Sequence, residues 1–478
     1  VFINSHQRFE VLSPEAIETL DRGWRRLLSE IGVQFQYEPA LAALRAAGQT
    51  VEGDVVRFDP DWVAARIADV PAEFELAARN PARSLHIGGD HMCFTPVYGA
   101  PFIREGHVRR VATIDDFRKL VMLSHVYPEI DSPGGVICEP DDRPLDSRHL
   151  DMLHALATIS DKPFFAGVIS GVAARDSVAM AEIVLGGPIA DRPTLLSIVN
   201  ANSPLRYDDR MLSALMVLAE AGQPVMVTPA TMMGAMAPVS TPAALAQNLA
   251  EAFAAMALMQ VVRPGCPALF GAGVLAVDMR TGAPGYAGPE LSFGLLAGGQ
   301  LARHYGIPWR AVGGAFTTSQ VPDAQAGFEG MQVMTAAFLA GANVSVHCAG
   351  WLDAGLTAGY EKFAIDIEIL RSLLYEFTPV VFDEASLAFD AHAEVGHGGH
   401  FFGAAHTLER FRTAFYQPYV ATTDNFDRWS RKGSLDTAAR ASARWREALE
   451  SYVAPPLADD VREELDEYVV RRRTELGD

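Results

Sequence analysis

The spacing of apolar positions changes near residue 130, and the expected architecture changes with it. Upstream, apolar residues recur three and four apart: SPEAIETLDRGWRRLLSEIGV predicts a helix with Ser13 as its cap, Pro14 in its first turn and Gly32 near its end, and EPALAALRAAG repeats that grammar. NPARSLHIGGDHMCFTPVYGAPFIREGHVRRVAT is turn-rich and predicts short strands or hairpins. Downstream, one phrase recurs: a helix, a Gly or Asp stop, a proline, then a short apolar strand. It occurs as DKP-FFAGVIS, DRP-TLLSIVN, GQP-VMVTPA, GCP-ALFGAG, GIP-WRAVGG and, without proline, GAN-VSVHCAG.

Strand starts at Pro163, Pro193, Pro224, Pro267, Pro308 and Asn343 lie 30, 31, 43, 41 and 35 residues apart, the length of one strand plus one crossover helix. The strands are continuously apolar, as parallel strands covered on both faces are. PGGVICEP supplies a seventh, and VYGAPFI or TPVVFD an eighth. The expected fold class is therefore α/β, a (β/α)8 TIM barrel over residues 86–425, with a helical extension at 1–85 and C-terminal helices at 426–478. An open doubly wound sheet is the alternative, but no G-x-G-x-x-G follows a strand.

With 478 residues, 49% hydrophobic and 21% charged, the chain has the composition of a globular enzyme. A net charge of -20 argues against phosphate-backbone binding, so nucleic acid is not an expected partner. The four cysteines, Cys93, Cys138, Cys266 and Cys348, form no Cys-x-x-Cys pair. With no uninterrupted apolar run of membrane-spanning length, a cytoplasmic protein without membrane contact is expected.

Barrel chemistry sits where strands end. Those positions are Cys138 and Glu139, Ser170, Asn200 and Asn202, Thr228 and Thr231, Gly271 and Gly273, Gly313 and Gly314, then His347. This rim is mostly neutral and too poor in acids and histidines for a metal hydrolase. Strand alternation puts Val344 and Val346 on one face, Ser345 and His347 on the other. The glycines remove bulk from one side of the mouth, leaving room for a large flat object or serving tight turns. Phe94, Tyr98, Phe316, Trp351, Tyr360, Phe401 and Phe402 fall in the same linear regions, and two or three such faces make a cage for a quaternary ammonium. His397, His400 and His406 lie in a Gly-rich segment whose spacing matches no zinc signature, which favours a substrate-contact loop over a metal site. Arg104 and Arg206 are candidates to neutralise a substrate carboxylate.

Five ordered motifs, SIVNANSPL, VTPATMMGAMAPVSTP, SQVPDAQAGFEG, HCAGWLDAGLTAGYEKF and GHGGHFFGAAHTLERFR, together resemble the trimethylamine methyltransferase superfamily, as does the preface EIGVQF…ALRAAG…VRFDP. The resemblance implies a TIM barrel that moves a methyl group from a methylated amine to the Co(I) of a corrinoid carried by a separate protein. Archetypal members use pyrrolysine; this chain has only standard residues and resembles the branch without it, with Thr317 to Gln320 near the corresponding place. A quaternary ammonium donor, glycine betaine foremost, with proline betaine or carnitine as variants, is then expected. His347 and Asn200 are the expected catalytic residues. Trp351, Tyr98, Phe94, Asn202, Phe316, Tyr360, His400, His406 and Arg206 are expected to contact substrate, and Gly271, Gly273, Gly313 and Gly314 to face the corrinoid. The chain lacks an Asp-x-His-x-x-Gly corrinoid fingerprint, so the cofactor is expected on the partner; no metal of its own is expected, and a homo-oligomer is. Two other classes remain open: a quaternary-ammonium binding protein without catalysis, and a metal-dependent hydrolase built on His397, His400 and His406.

Overall fold

The computed structural model describes residues 1–478. Every proline- or asparagine-led phrase becomes a strand: Phe164–Phe165, Leu195–Leu196 with Ile198–Ala201, Val225–Pro229, Ala268–Ala272, Trp309–Ala311 and Val344–Ser345. The last four of these, with Ile198–Ala201, run parallel in sequence order and continue onto His91–Phe94. The result is a mostly parallel sheet, TIM-barrel-like, with helices Gly171–Leu185, Asp209–Glu220, Thr241–Val262, Pro289–Tyr305 and Ala324–Ala340 as crossovers and Tyr360–Glu376 after the last strand. Neither expected eighth segment forms a strand of it, although VYGAPFI, just past His91–Phe94, meets Cys138 through a single parallel bridge at Ala100. Phe102–Glu105 pairs instead with Val108–Val111 and Thr357–Gly359, and TPVVFD forms no strand because its Val380, Val381 and Phe382 stand in solvent.

Register explains the core. Gly271, Arg310, Val344 and Cys93 are successive cross-strand partners and share the concave face. That face carries an apolar cluster of its own: Cys93, Phe165, Leu196, Ile198, Met226, Leu269, Val344 and Val346. The antiparallel hairpin Glu73–Leu76 and Leu85–Gly88 adds Phe74, Leu76, Leu85 and Ile87 to that cluster. Because these strand residues lie early in their strands, the hairpin stoppers the N-terminal end. The convex face packs against the helices: Gly298 and Gly299 lie beside Trp309, and a Cβ there would strike Ala272 and the Ala340 carbonyl.

Around the sheet, Ser13 caps helix Pro14–Arg26, and a four-stranded sheet joins Val33–Phe35, Val55–Arg57 and Thr50–Glu52 to Arg206–Tyr207. The terminal helices Thr437–Glu450 and Asp459–Leu476 are pinned to the outer wall. Trp445 stacks on Tyr360 at 4.7 Å, and Tyr468 and Arg472 both donate to the buried Asp176. One helix, Thr241–Val262, is long and apolar enough to cross a membrane; 89% of its apolar window is buried inside the protein.

Between Thr378 and Leu435 the chain rests on this body at Tyr416, Tyr419 and Val420, which bond to Glu368, and elsewhere leaves it. Helices there are short, Phe389–Val395, Ala405–Arg410 and Phe426–Arg431, and large apolar side chains face water: Phe382 is 91% exposed and Phe402 85%.

Candidate functional site

Four rings meet at the C-terminal ends of the last two strands. Phe316 lies 4.1 Å from Trp351 and 5.0 Å from His347, His347 lies 4.5 Å from Trp351, and Tyr286 stands edge-on to Phe316 at 5.2 Å and Trp351 at 5.4 Å. All but Tyr286 are buried.

The backbone is distorted where this cluster forms. His347 has φ of 68°, a left-handed conformation that a non-glycine residue adopts at an energetic penalty. It breaks the strand alternation that would send the ring outward beside Ser345. The ring turns instead to the lumen, where its Nδ1 accepts from the Tyr98 backbone N–H (3.2 Å) and its Nε2 faces Arg310 Nη2 (3.2 Å). Neighbouring chain holds this turn on both sides. His347 N–H donates to the Pro96 carbonyl, Cys348 N–H to the Thr95 carbonyl, and Ala315 N–H to the His347 carbonyl. Burial, with the Arg310 charge beside it, holds the imidazole well below its usual pKa, so it is neutral at physiological pH.

Two loops carry Phe316 and Trp351, and helix Tyr360–Glu376 ties both of them. Lys362 donates to the Ala315 carbonyl (3.0 Å), next to Phe316. Its ion-pair partner Asp366 accepts from Gly350 N–H (2.8 Å), next to Trp351. Trp351 Nε1 donates to the Thr317 carbonyl (3.1 Å), and Glu329 receives Thr317 Oγ1 (2.6 Å) and Thr318 N–H (2.9 Å). The segment Thr317–Gln320 is thus stitched to the tryptophan loop.

Of the residues singled out in the sequence, His347, Phe316 and Trp351 come together, with Tyr98 beside them through its backbone. Asn200 shares the lumen-facing register of Ile198 and its side chain is exposed at the mouth. The others lie elsewhere. Phe94 pairs in register with Ser345 on the convex face and stacks on Phe338 at 5.4 Å, outside the lumen. Tyr360 stacks on Trp445 and donates to Asp116 (2.9 Å) at the outer wall. Asn202 is used within its own turn, bonded to Asp208 by side chain and backbone. Arg206 is exposed at the edge of the N-terminal sheet, and Arg104 lies in the Phe102–Glu105 strand. His400 and His406 sit on the exposed arm, where His400 neighbours Phe402.

The glycines do not open onto free space. A Cβ at Gly271 would strike Thr228, at Gly273 Val312, at Gly313 Val333 and at Gly314 the backbone of Cys348. Close approach of this chain's own strands and helices, rather than room for a disc, explains them.

Arg310 and three other residues went unnoticed in the sequence. Tyr286 lies in a Gly- and Pro-rich loop with no periodicity to mark it. Lys362 and Asp366 are an i, i+4 pair that looks like any solvated helix pair until burial is known; both side chains are fully buried. Glu73, His86 and His91 also come within metal-ligating reach of one another, with Glu73 Oε2 2.5 Å from His86 Nε2, but they belong to the stoppered end.

Comparison with known proteins identifies the family. Residues 1–477 match the family described as trimethylamine methyltransferase (MTTB). The chain is similar to the glycine betaine methyltransferase of Desulfitobacterium hafniense (strain Y51), 38% identical over 474 residues and covering 98% of each chain. It is also similar to the proline betaine:corrinoid methyltransferase of Eubacterium limosum, 29% identical with 98% of this chain and 99% of that one covered. Among solved structures, the monomethylamine methyltransferase of Methanosarcina barkeri shares the fold, with a TM-score of 0.54 at 14% identity over 93% of this chain and 89% of that one. The chain belongs to the trimethylamine methyltransferase family.

Proposed function

We propose that this protein transfers a methyl group from a quaternary ammonium compound, glycine betaine foremost, to the Co(I) of a corrinoid carried by a separate protein. The observation that carries this reading is the cluster of Tyr286, Phe316 and Trp351 around a neutral His347, with no carboxylate among them. Aromatic faces attract a cation that has no N–H to donate. The names of the two relatives, acting on glycine betaine and proline betaine, agree with that donor class.

A quaternary nitrogen is already a good leaving group. As its C–N bond breaks, the electron pair stays on nitrogen and a neutral tertiary amine departs, so no general acid is required. His347, kept neutral by burial, suits a reaction that moves no proton. Positive charge fades at nitrogen as the methyl group leaves, so tight holding of the cation gives affinity rather than rate. The chain's contribution to rate is alignment, set by loops locked through Lys362, Asp366 and Glu329. Asn200, unpaired at the mouth, is in position to orient a donor. The corrinoid would enter as a second substrate on its own protein and supply the nucleophile.

Closure of the sheet into a full (β/α)8 barrel belongs to the same reading. Hydrogen bonds from Asp131 N–H to Phe94 O (2.9 Å), Gly99 N–H to Val136 O (2.6 Å), Phe165 N–H to Gly134 O (2.8 Å) and Ala166 N–H to Leu196 O (2.8 Å) support it, with segment 131–138 as the missing stave. Self-association through the arm at residues 378–435 belongs to it too. Its exposed phenylalanines call for apolar cover. Its first half carries Asp383, Glu384, Asp390 and Glu394 with no Lys or Arg, while its second half sets Arg410, Arg412, Arg428, Arg431 and Lys432 against Glu409, Asp424 and Asp427 and keeps a small positive excess, so two arms crossing antiparallel are weakly complementary in charge.

The test combines the protein with free cob(I)alamin and glycine betaine. Loss of the cob(I)alamin absorption with matching formation of dimethylglycine is expected. Inertness across a panel of betaines overturns catalysis, and calorimetric binding without transfer selects the non-catalytic reading.

A further inference from the structure

Arg310 is the one charged residue on the lumen-facing register of the central strands, and its situation is chemically incomplete. It is 3% exposed, forms no ion pair, and leaves its Nε without a partner; its side-chain contact is His347 Nε2 at 3.2 Å. No carboxylate is among the groups that act on its charge, which are Tyr98 and Cys348, and burial draws its pKa down to about 10, leaving it a cation at neutral pH.

The contact with His347 is itself unsatisfied. A neutral imidazole has one acceptor nitrogen. Nδ1 accepts the Tyr98 amide, so Nε2 carries the hydrogen and points it at a guanidinium that offers only donors. The opposite tautomer moves the clash to Tyr98 without removing it. Whichever form is present, two donors face a ring that can accept from one side only. An acceptor that bridges Arg310 and His347 from the lumen side, taking a hydrogen bond from each, resolves the conflict, and an anionic one also neutralises the buried cation.

We propose that Arg310, with the Nε2–H of His347, is the anchor for the substrate's carboxylate, and that it restricts the donor to zwitterions with a carboxylate a short distance from the quaternary nitrogen. This rests on the quaternary-ammonium reading above and makes it more specific. The same guanidinium that holds a betaine's carboxylate repels a bare cation such as choline or tetramethylammonium from the neighbouring rings. Selectivity then comes as much from that repulsion as from the ion pair.

The experiment uses the whole chain, with Arg310→Met and Arg310→Lys beside wild type. Calorimetry with glycine betaine, choline and tetramethylammonium requires no corrinoid. Thermal unfolding is followed with and without glycine betaine, and KM and kcat are measured with free cob(I)alamin. Glycine betaine is expected to bind Arg310→Met about 100-fold more weakly than wild type, with Arg310→Lys between them, while choline binds the methionine variant at least as well as wild type. Without ligand, Arg310→Met is expected to melt no lower than wild type, because it removes an uncompensated buried charge; glycine betaine raises the midpoint of wild type only. A structural role predicts the reverse. An Arg310→Met chain that fails to fold or melts well below wild type overturns the proposal, as does unchanged betaine affinity. If wild type demethylates glycine betaine and the variant keeps its KM, the anchor is wrong and the methyl-transfer reading stands. If betaine binds through Arg310 but no methyl group moves, the anchor stands and that reading falls.

Discussion

The barrel lumen and the arm at residues 378–435 break the usual sorting of residues in opposite directions. The lumen seals a cation, Arg310, among Val344, Met226 and Leu269; the arm leaves Phe382 and Phe402 in water. Each is an unfinished surface, and the kind of incompleteness says what finishes it. A buried charge without a counterion calls for a small ion that can enter a narrow space. Stranded rings on a long, weakly structured segment call for something broad and apolar, and direction of charge along the arm favours another arm. Magnitudes separate them further. At an effective dielectric of about 20, an ion pair near 4 Å is worth roughly 4 kcal/mol, enough to fix which molecule binds. A half-exposed phenylalanine contributes one or two kcal/mol at most, so the arm needs many such residues at once.

If the comparison is right, damage in the lumen should appear in the isolated chain and damage in the arm only in association. The largest expected effect is from Lys362→Ala or Asp366→Ala. Each strands one member of a fully buried pair and should lower stability by about 3–5 kcal/mol in chemical denaturation, whereas replacing both with apolar residues should lower it far less. Next, Trp351→Ala should weaken glycine betaine binding by roughly 30-fold, about 2 kcal/mol, in calorimetry, and lose stability as well, since the ring is buried.

A smaller effect concerns pH. His347 is held below its usual value near 6.5, so between that value and its folded pKa the unfolded chain takes up a proton that the folded chain refuses. Stability from this group is complete above about pH 6.5 and falls by up to about 1.4 kcal/mol per unit below it. His347→Gln should flatten that limb of a stability-against-pH curve. Smallest of all, Phe382→Ser should change the unfolding free energy by no more than about 0.5 kcal/mol while shifting sedimentation toward the monomer. A large loss of stability there would erase the contrast, because the arm would then be part of the core.

How much of this was visible in the sequence follows from the same sorting. The strands at Phe164, Val225, Ala268 and Trp309 were legible because parallel strands covered on both faces read as unbroken apolar runs after a proline. His347, Phe316 and Trp351 lay at strand ends, where a barrel carries its chemistry. Linear nearness to a strand end does not reveal the face, however. Phe94 points outward because its register partner is Ser345, and Tyr360 because helix Thr437–Glu450 packs there. Arg310 was passed over because it sits inside WRAVGG and looked like part of a core strand. The signal was present all the same: a full charge in the middle of a covered strand has to face the lumen, and there it needs a reason. His347's turn inward depends on a left-handed backbone that no alternation rule anticipates.

The hairpin that stoppers the lumen has a kinetic consequence. A well with a floor has one doorway, shared by everything that comes and goes. A small donor has to slip in ahead of any bulky visitor that leans over the opening, and the spent amine has to wait behind it. On the proposed function, turnover in such a vessel would be ordered, with the small donor first in and last out.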